Sequence, residues 1–241
     1  MPTETTPLFP ALTGAPRLAL FLGQLRQSLR LVGGSVILCA IGLYFISPVL
    51  IQGLQLHLDQ KLAFFAVAEP FMAHVKFSFL TALFVMMPAI LHTLWKAAAQ
   101  PFGITEQAIG WFVLSTCVLF YSGASFCYFI TLPYGIKFLL GFQSEQLTAV
   151  ISISRFVTFV TVFILAFGII FELPILMVFC AKSGLCPRRT FERQRRYAVL
   201  VIAIVAALLT PTPDIVNMLL MAVPLYLLYE LGIVILKAMR L

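Results

Sequence analysis

Six long apolar stretches, each bounded by a charge or a proline, constrain this chain more than any other feature. They cover residues 31–51, 77–95, 108–136, 156–181, 197–210 and 215–236, and the only charges inside them are Glu172 and Glu230. Apolar residues make up 61% of the 241 positions and charged residues 10%, with a mean hydropathy of +1.04. A water-soluble domain of this length has too high a surface-to-volume ratio to hide so much apolar area. A bilayer accepts it, because about 20 apolar residues cross the hydrocarbon core as a helix. Barrel strands would alternate apolar and polar over about ten residues, and these runs do not. The expected fold is therefore an all-α membrane protein with six transmembrane helices over residues 31–236. A cytoplasmic N-terminal segment, 1–30, precedes them and a short tail, 237–241, follows.

The loops orient the chain. With six spans, the side holding both termini carries 12 of the 16 basic residues, among them Arg26, Arg30, Lys96, Lys182, Arg195, Arg196 and Lys237. Basic residues beside span ends favour the cytoplasmic face, so both termini are expected to be cytoplasmic. The net charge of +7 then sits beside an anionic leaflet and requires no nucleic acid. The first residues, with an acid and several prolines, do not read as a cleavable signal peptide.

Catalytic and metal-binding patterns are missing. Of the five cysteines, Cys39, Cys117, Cys127 and Cys180 fall inside spans, Cys186 lies on the reducing side, and no CxxC pair occurs. His57, His74 and His92 lack ligand spacing, and no HExxH, GxSxG or phosphate-binding glycine loop is found. The expectation is a non-enzyme with no cofactor and no metal.

The connecting segments differ in kind. Residues 52–76 and 137–155 are long and partly apolar, suited to lie in the interface or to cap the bundle. The last hairpin turns through Pro211-Thr212-Pro213-Asp214 alone. Its first helix, 197–210, offers about 21 Å against a core of about 30 Å, and the stretch from 215 to Glu230 is comparably short. Two short helices side by side thin the bilayer or meet a partner, unless Arg195, Arg196 and Glu230 simply snorkel.

Few polar residues are placed to act. Glu172, in Phe-Gly-Ile-Ile-Phe-Glu-Leu-Pro at 167–174, is too deep to face lipid as a charge. It must face a polar interior or groove, meet a partner, or be protonated. Pro174 frees a carbonyl nearby. Glu230 reads as a helix-end acid beside Tyr226 and Tyr229. Asp214 is placed to cap the last helix. Glu106 is the acid of the second cytoplasmic-side loop. It either complements the dipole of the third helix or offers a carboxylate to a cationic partner.

Taken in order, these residues resemble the twin-arginine protein translocase subunit TatC family. The resemblance runs from about Leu20 to Leu236. It is carried by Pro88 and Trp95 with Glu106, by Leu119-Phe120-Tyr121-Ser122-Gly123-Ala124-Ser125-Phe126 with Pro133, and by Phe167-Gly168 through Glu172-Leu173-Pro174. Arg195-Arg196-Tyr197 with Thr210-Pro211-Thr212-Pro213-Asp214, and Pro224-Leu225-Tyr226 through Glu230, complete it. The resemblance implies a cupped, glove-like bundle with short fifth and sixth helices. It implies binding of paired-arginine signal peptides, recruitment of TatA-like and TatB-like single-span proteins, and export of folded cargo on the protonmotive force. It also implies a homo-oligomeric complex in the bacterial inner membrane or an organellar one. Glu106 matches the family's recognition glutamate and Glu172 the acid of the concave face. Pro48, Tyr197, Asp214, Tyr226 and Glu230 fall in partner-docking or structural positions. The family's N-terminal pattern usually reads His-Leu-x-Glu-Leu-Arg. Here it reads Phe21-Leu22-Gly23-Gln24-Leu25-Arg26, so Gln24 and Arg26 are the expected signal-peptide contacts, with an amide replacing an acid. The competing reading is a small-molecule or ion transporter with Glu172 as its coupling site.

Overall fold

The computed structural model describes residues 14–58, 62–102, 106–141, 151–209 and 215–239. The chain begins with α1, Gly14–Leu58, a 45-residue helix that starts well before the first apolar stretch. Pro48 lies inside it and has no N–H to give the Tyr44 carbonyl, four residues back. The Ser47 hydroxyl donates to that carbonyl at 2.8 Å. His74 Nδ1 lies 2.9 Å from the same hydroxyl, which ties α1 to α2, Glu69–Val85. With the single Ser47 proton on Tyr44, the imidazole must present Nδ1–H.

The same device recurs at Pro88. α2 and α3, Met87–Phe102, meet at a 53° bend. Pro88 cannot serve the Phe84 carbonyl, and the Tyr121 hydroxyl donates to it instead at 3.2 Å. Tyr121 belongs to α4, Glu106–Phe126. A π-helical turn, Cys127–Thr131, and α5, Leu132–Leu140, continue that run. Then follow α6, Ile153–Ile170, and α7, Leu173–Lys182, broken at Phe171–Glu172 ahead of Pro174. A surface helix α8, Arg188–Arg193, leads into α9, Arg195–Leu209. The last helix is α10, Ile215–Ala238.

Among the described residues, four helical runs are long and apolar enough to cross a membrane: 30–58, 107–138, 153–182 and 218–238. The bent pair α2–α3 makes a fifth if taken as one span. α9 has 15 residues, about 22 Å, and falls short of that length. The expectation that the sixth helix is also short is corrected. α10 has 24 residues, about 36 Å, and runs through Glu230 without a break. The reason is that the Glu230 carboxylate finds cationic and hydroxyl partners at the helix surface and need not end the helix to be solvated.

The interior is built on aromatic and branched residues, with Phe120, Leu132, Val157, Val160, Phe167, Met221, Ile233 and Leu236 almost wholly buried. α4 and α6 approach closely because two glycines allow it. A Cβ on Gly168 would fall 2.5 Å from the Phe120 ring, and one on Gly123 2.5 Å from that of Phe171. The outer surface is as apolar as the core. Phe45 and Leu208 are each 79% exposed and Trp111 72%, which water would penalise and lipid does not.

At one end of the bundle two connecting segments join. β1, Leu62–Ala63, pairs in parallel with β2, Ile151–Ser152, in the register Leu62↔Ile151 and Ala63↔Ser152. The Glu69 carboxylate reinforces the junction. It accepts from the Ser152 hydroxyl, from the Phe65 amide at 2.8 Å and from the Ser154 amide at 3.4 Å.

Candidate functional site

The opposite end gathers charge. Each helical run reverses the last, so the start of α4, the ends of α3, α7 and α10, and α8 with the start of α9 share this end. Side-chain contacts confirm the grouping. Trp95 of α3 is buried, stacks on Phe112 of α4 at 4.7 Å and meets Phe179 of α7 edge-on at 5.2 Å. The Lys182 ammonium lies 5.6 Å over the same Phe112 ring. The Tyr229 hydroxyl of α10 donates to the Phe191 carbonyl of α8 at 2.7 Å.

Glu106 is the first residue of α4, so its backbone stands at this charged end, where the helix dipole favours a carboxylate. Gln24 and Arg26 lie on the first half of α1, ahead of the membrane-length run that begins at Arg30. Their backbones therefore also belong to this end. The side chains of all three fall outside the description, as does Asp214.

Glu230 is held from two sides. Arg195 donates to Oε2 at 2.9 Å, and the Tyr226 hydroxyl, one turn back, donates to Oε1 at 3.1 Å. The pair pins the first residue of α9 to α10, and half-exposed Tyr197 follows on α9. Glu192 of α8 makes a second junction, with Arg188 at 3.4 Å and Lys237 at 3.8 Å.

Glu172 stands apart from both ends. It immediately precedes α7 at the break in the fourth span, with no side-chain capping bond, and is 6% exposed. Its backbone is satisfied, the amide on Ile169 at 3.1 Å and the carbonyl by Leu176 at 3.0 Å. Its Oε1 is buried with no hydrogen-bond partner among the described residues. A carboxylate so placed is costly unless protonated or met by a partner that the chain alone does not supply. Pro48, by contrast, is exposed at mid-helix and shapes its surroundings through the Ser47–His74 contact.

Sequence reasoning passed over two polar contacts. Glu69 reaches Ser152 across 83 positions, and nothing local signals it. The Ser47–His74 bond was hidden likewise. Among the described residues no group of three or more His, Cys, Asp or Glu is placed to hold a metal ion.

The topology agrees with comparison to known proteins. The family model described as Sec-independent protein translocase protein (TatC) matches residues 21–224. This chain belongs to the TatC family. The TatC of Koribacter versatilis is 39% identical over 178 residues, covering 73% of this chain and 65% of that protein. The first relatives are thus matched over just under two thirds of their own length. The TatC of Helicobacter pylori strain J99 is 36% identical over 217 residues, 90% of this chain and 87% of the relative. A crystal structure of a twin-arginine translocase receptor, TatC, superposes with a TM-score of 0.79 at 28% identity, covering 90% of this chain and 98% of the other. The multi-helix membrane fold is therefore that of TatC proteins.

Proposed function

We propose that this chain is the core subunit of a twin-arginine translocation system. It binds paired-arginine signal peptides at the charged end and nucleates a translocase that moves folded proteins on the protonmotive force. The observation that carries this reading is the family match across residues 21–224; Glu106, heading α4 at the charged end, is the carboxylate we assign to recognition. A guanidinium pair needs fixed carboxylates or amide oxygens, and bidentate Arg–carboxylate contacts are the strong form. Glu106 supplies the charge, and Gln24, beside Arg26, supplies an amide oxygen.

The partners are TatA-like and TatB-like single-span proteins, further copies of this chain and surrounding lipid. They dock along α9 and α10, where Tyr197, Tyr226 and Glu230 lie and where the shortness of α9 leaves a stretch of bilayer unmatched. Asp214, in the turn between these helices, and Pro48 on α1 have supporting roles. The chain sits in the bacterial inner membrane, or its organellar equivalent, with both termini cytoplasmic. Glu172 supplies the polar face for a partner's own polar residue in the intramembrane groove.

The test is binding of a paired-arginine signal peptide and its paired-lysine counterpart to the full chain in mild detergent. The proposal expects the arginine form to bind and the lysine form to lose about tenfold or more. Equal binding of the two would reject it. For the intramembrane role, Glu172→Ala is expected to leave the fold and peptide binding intact while transport or partner assembly fails. An unfolded variant would make the acid structural.

A further inference from the structure

We propose that the junction of α8 and α9 is a headgroup site for one anionic phospholipid, whose acyl chains lie along the outer face of α9. The argument begins with charge. Residues 182–196 hold six basic side chains, Lys182, Arg188, Arg189, Arg193, Arg195 and Arg196, against the single acid Glu192. The two acids at this end with described side chains are already used. Glu192 takes Arg188 and Lys237, and Glu230 takes Arg195. Arg189 and Arg193 make no ion pair among the described residues. Arg196 lies over the Tyr197 ring at 4.9 Å and reaches its hydroxyl only at 3.4 Å.

These three arginines are exposed and close together on the surface of the α8–α9 junction. Together with Thr190, Gln194 and Tyr197 they line one open surface cavity of about 330 Å³. It offers up to three forked cations and three neutral donors, the recognition chemistry of a phosphate. Three like charges converging without an acid repel one another, and a phosphodiester neutralises them.

Geometry chooses between a lipid and a free anion. Tyr197, which lines the cavity, opens a stripe that continues through Val201, Ile204 and Leu208 at spacings of four, three and four. Their exposures are 53%, 56%, 51% and 79%. Such spacing keeps all four on one helix face, so the cavity opens directly above an apolar track running toward the bilayer centre. α9 is the short helix, and among its described side chains only Ile202 and Ala206 are buried. A pinned lipid holds its first turn at headgroup level while thinning is taken up at the other end. Acyl chains on this face would compete with a partner helix docking on α9; the headgroup, held at α8, would not.

Native mass spectrometry of the full chain in mild detergent, titrated with phosphatidylglycerol or phosphatidylcholine, tests the site. The wild type is expected to retain one phosphatidylglycerol at least about tenfold more tightly than phosphatidylcholine. Arg189→Gln/Arg193→Gln/Arg196→Gln is expected to abolish that preference with unchanged helicity and melting temperature. Arg188→Gln, outside the cavity, should preserve it. Should the triple variant unfold, Tyr197→Ala/Val201→Gln keeps the test open, since interrupting the track should weaken lipid retention and leave the arginines intact. Three results would overturn the proposal. These are equal retention of the two lipids by the wild type, an undiminished preference in the triple variant, or displacement of phosphatidylglycerol by millimolar inorganic phosphate, which would make this a free-anion site.

Discussion

The two ends of the helical bundle are closed in opposite ways. At the Glu69 end, two connecting segments exchange backbone hydrogen bonds through β1 and β2, and one carboxylate satisfies a hydroxyl and two amides from both. At the α8–α9 end, closure combines the Tyr229–Phe191 hydrogen bond with three ion pairs between partly exposed side chains, and Arg189, Arg193 and Arg196 remain without an acid among the described residues. Directional backbone bonds fix a shape with little charge left over. Exposed ion pairs fix less and leave a strong local field that attracts anions and steers charged ligands. The first end is built as a cap; the second is built to bind.

The largest effect expected from breaking this asymmetry is at Glu106. Glu106→Gln should weaken a paired-arginine signal peptide by about tenfold or more, since hydrogen bonds to charged groups are worth roughly 1.5–3 kcal/mol. Glu106→Asp should be milder. Peptide titration checks both, and an unchanged affinity in Glu106→Gln would remove the recognition role.

At the cap, Glu69→Ala should raise the hydrogen-exchange rates of the amides in 62–65 and 151–154 while leaving those of α8 and α9 unchanged. Local opening of this kind is what exchange reads. Loss of protection across the whole chain would instead make Glu69 a global stability element.

Gln24→Glu sharpens the binding end. A carboxylate there should tighten signal-peptide binding a few-fold and make it more sensitive to salt, because it adds a screened Coulombic attraction that an amide lacks. A flat affinity across ionic strength would place this residue out of contact.

The smallest effect belongs to the junction of α9 with α10. Glu230→Gln removes a partly exposed pair, and such pairs contribute about 0.2–1 kcal/mol. Melting should shift only slightly, with peptide binding unchanged. A collapse of the fold would mean that the 2.9 Å Arg195–Glu230 contact carries far more than its exposure implies.

Much of this was legible from residues alone, for a physical reason. Membrane spans are written in consecutive residues, so the fourth span and its interruption at Glu172–Pro174 read directly, as did the shortness of α9. The length of α10 was misread because Glu230 looked like a stop. Its partner Arg195 lies 35 positions away, and a satisfied charge need not end a helix. That residues 52–76 and 137–155 could cap the bundle was legible, but how they join was not, since Leu62↔Ile151 and Glu69–Ser152 link positions more than 80 residues apart. The carbonyls freed by Pro48 and Pro88 were predictable; that Ser47 and Tyr121 serve them was not.

Site-specific photocrosslinking measures the asymmetry most directly. A photoreactive residue is placed at position 106 in one variant and at position 65 in another, and each is illuminated in membranes with a paired-arginine signal peptide. The account predicts adducts from position 106, lost when the peptide's arginines become lysines, and none from position 65. Adducts from position 65 with none from position 106 would contradict it.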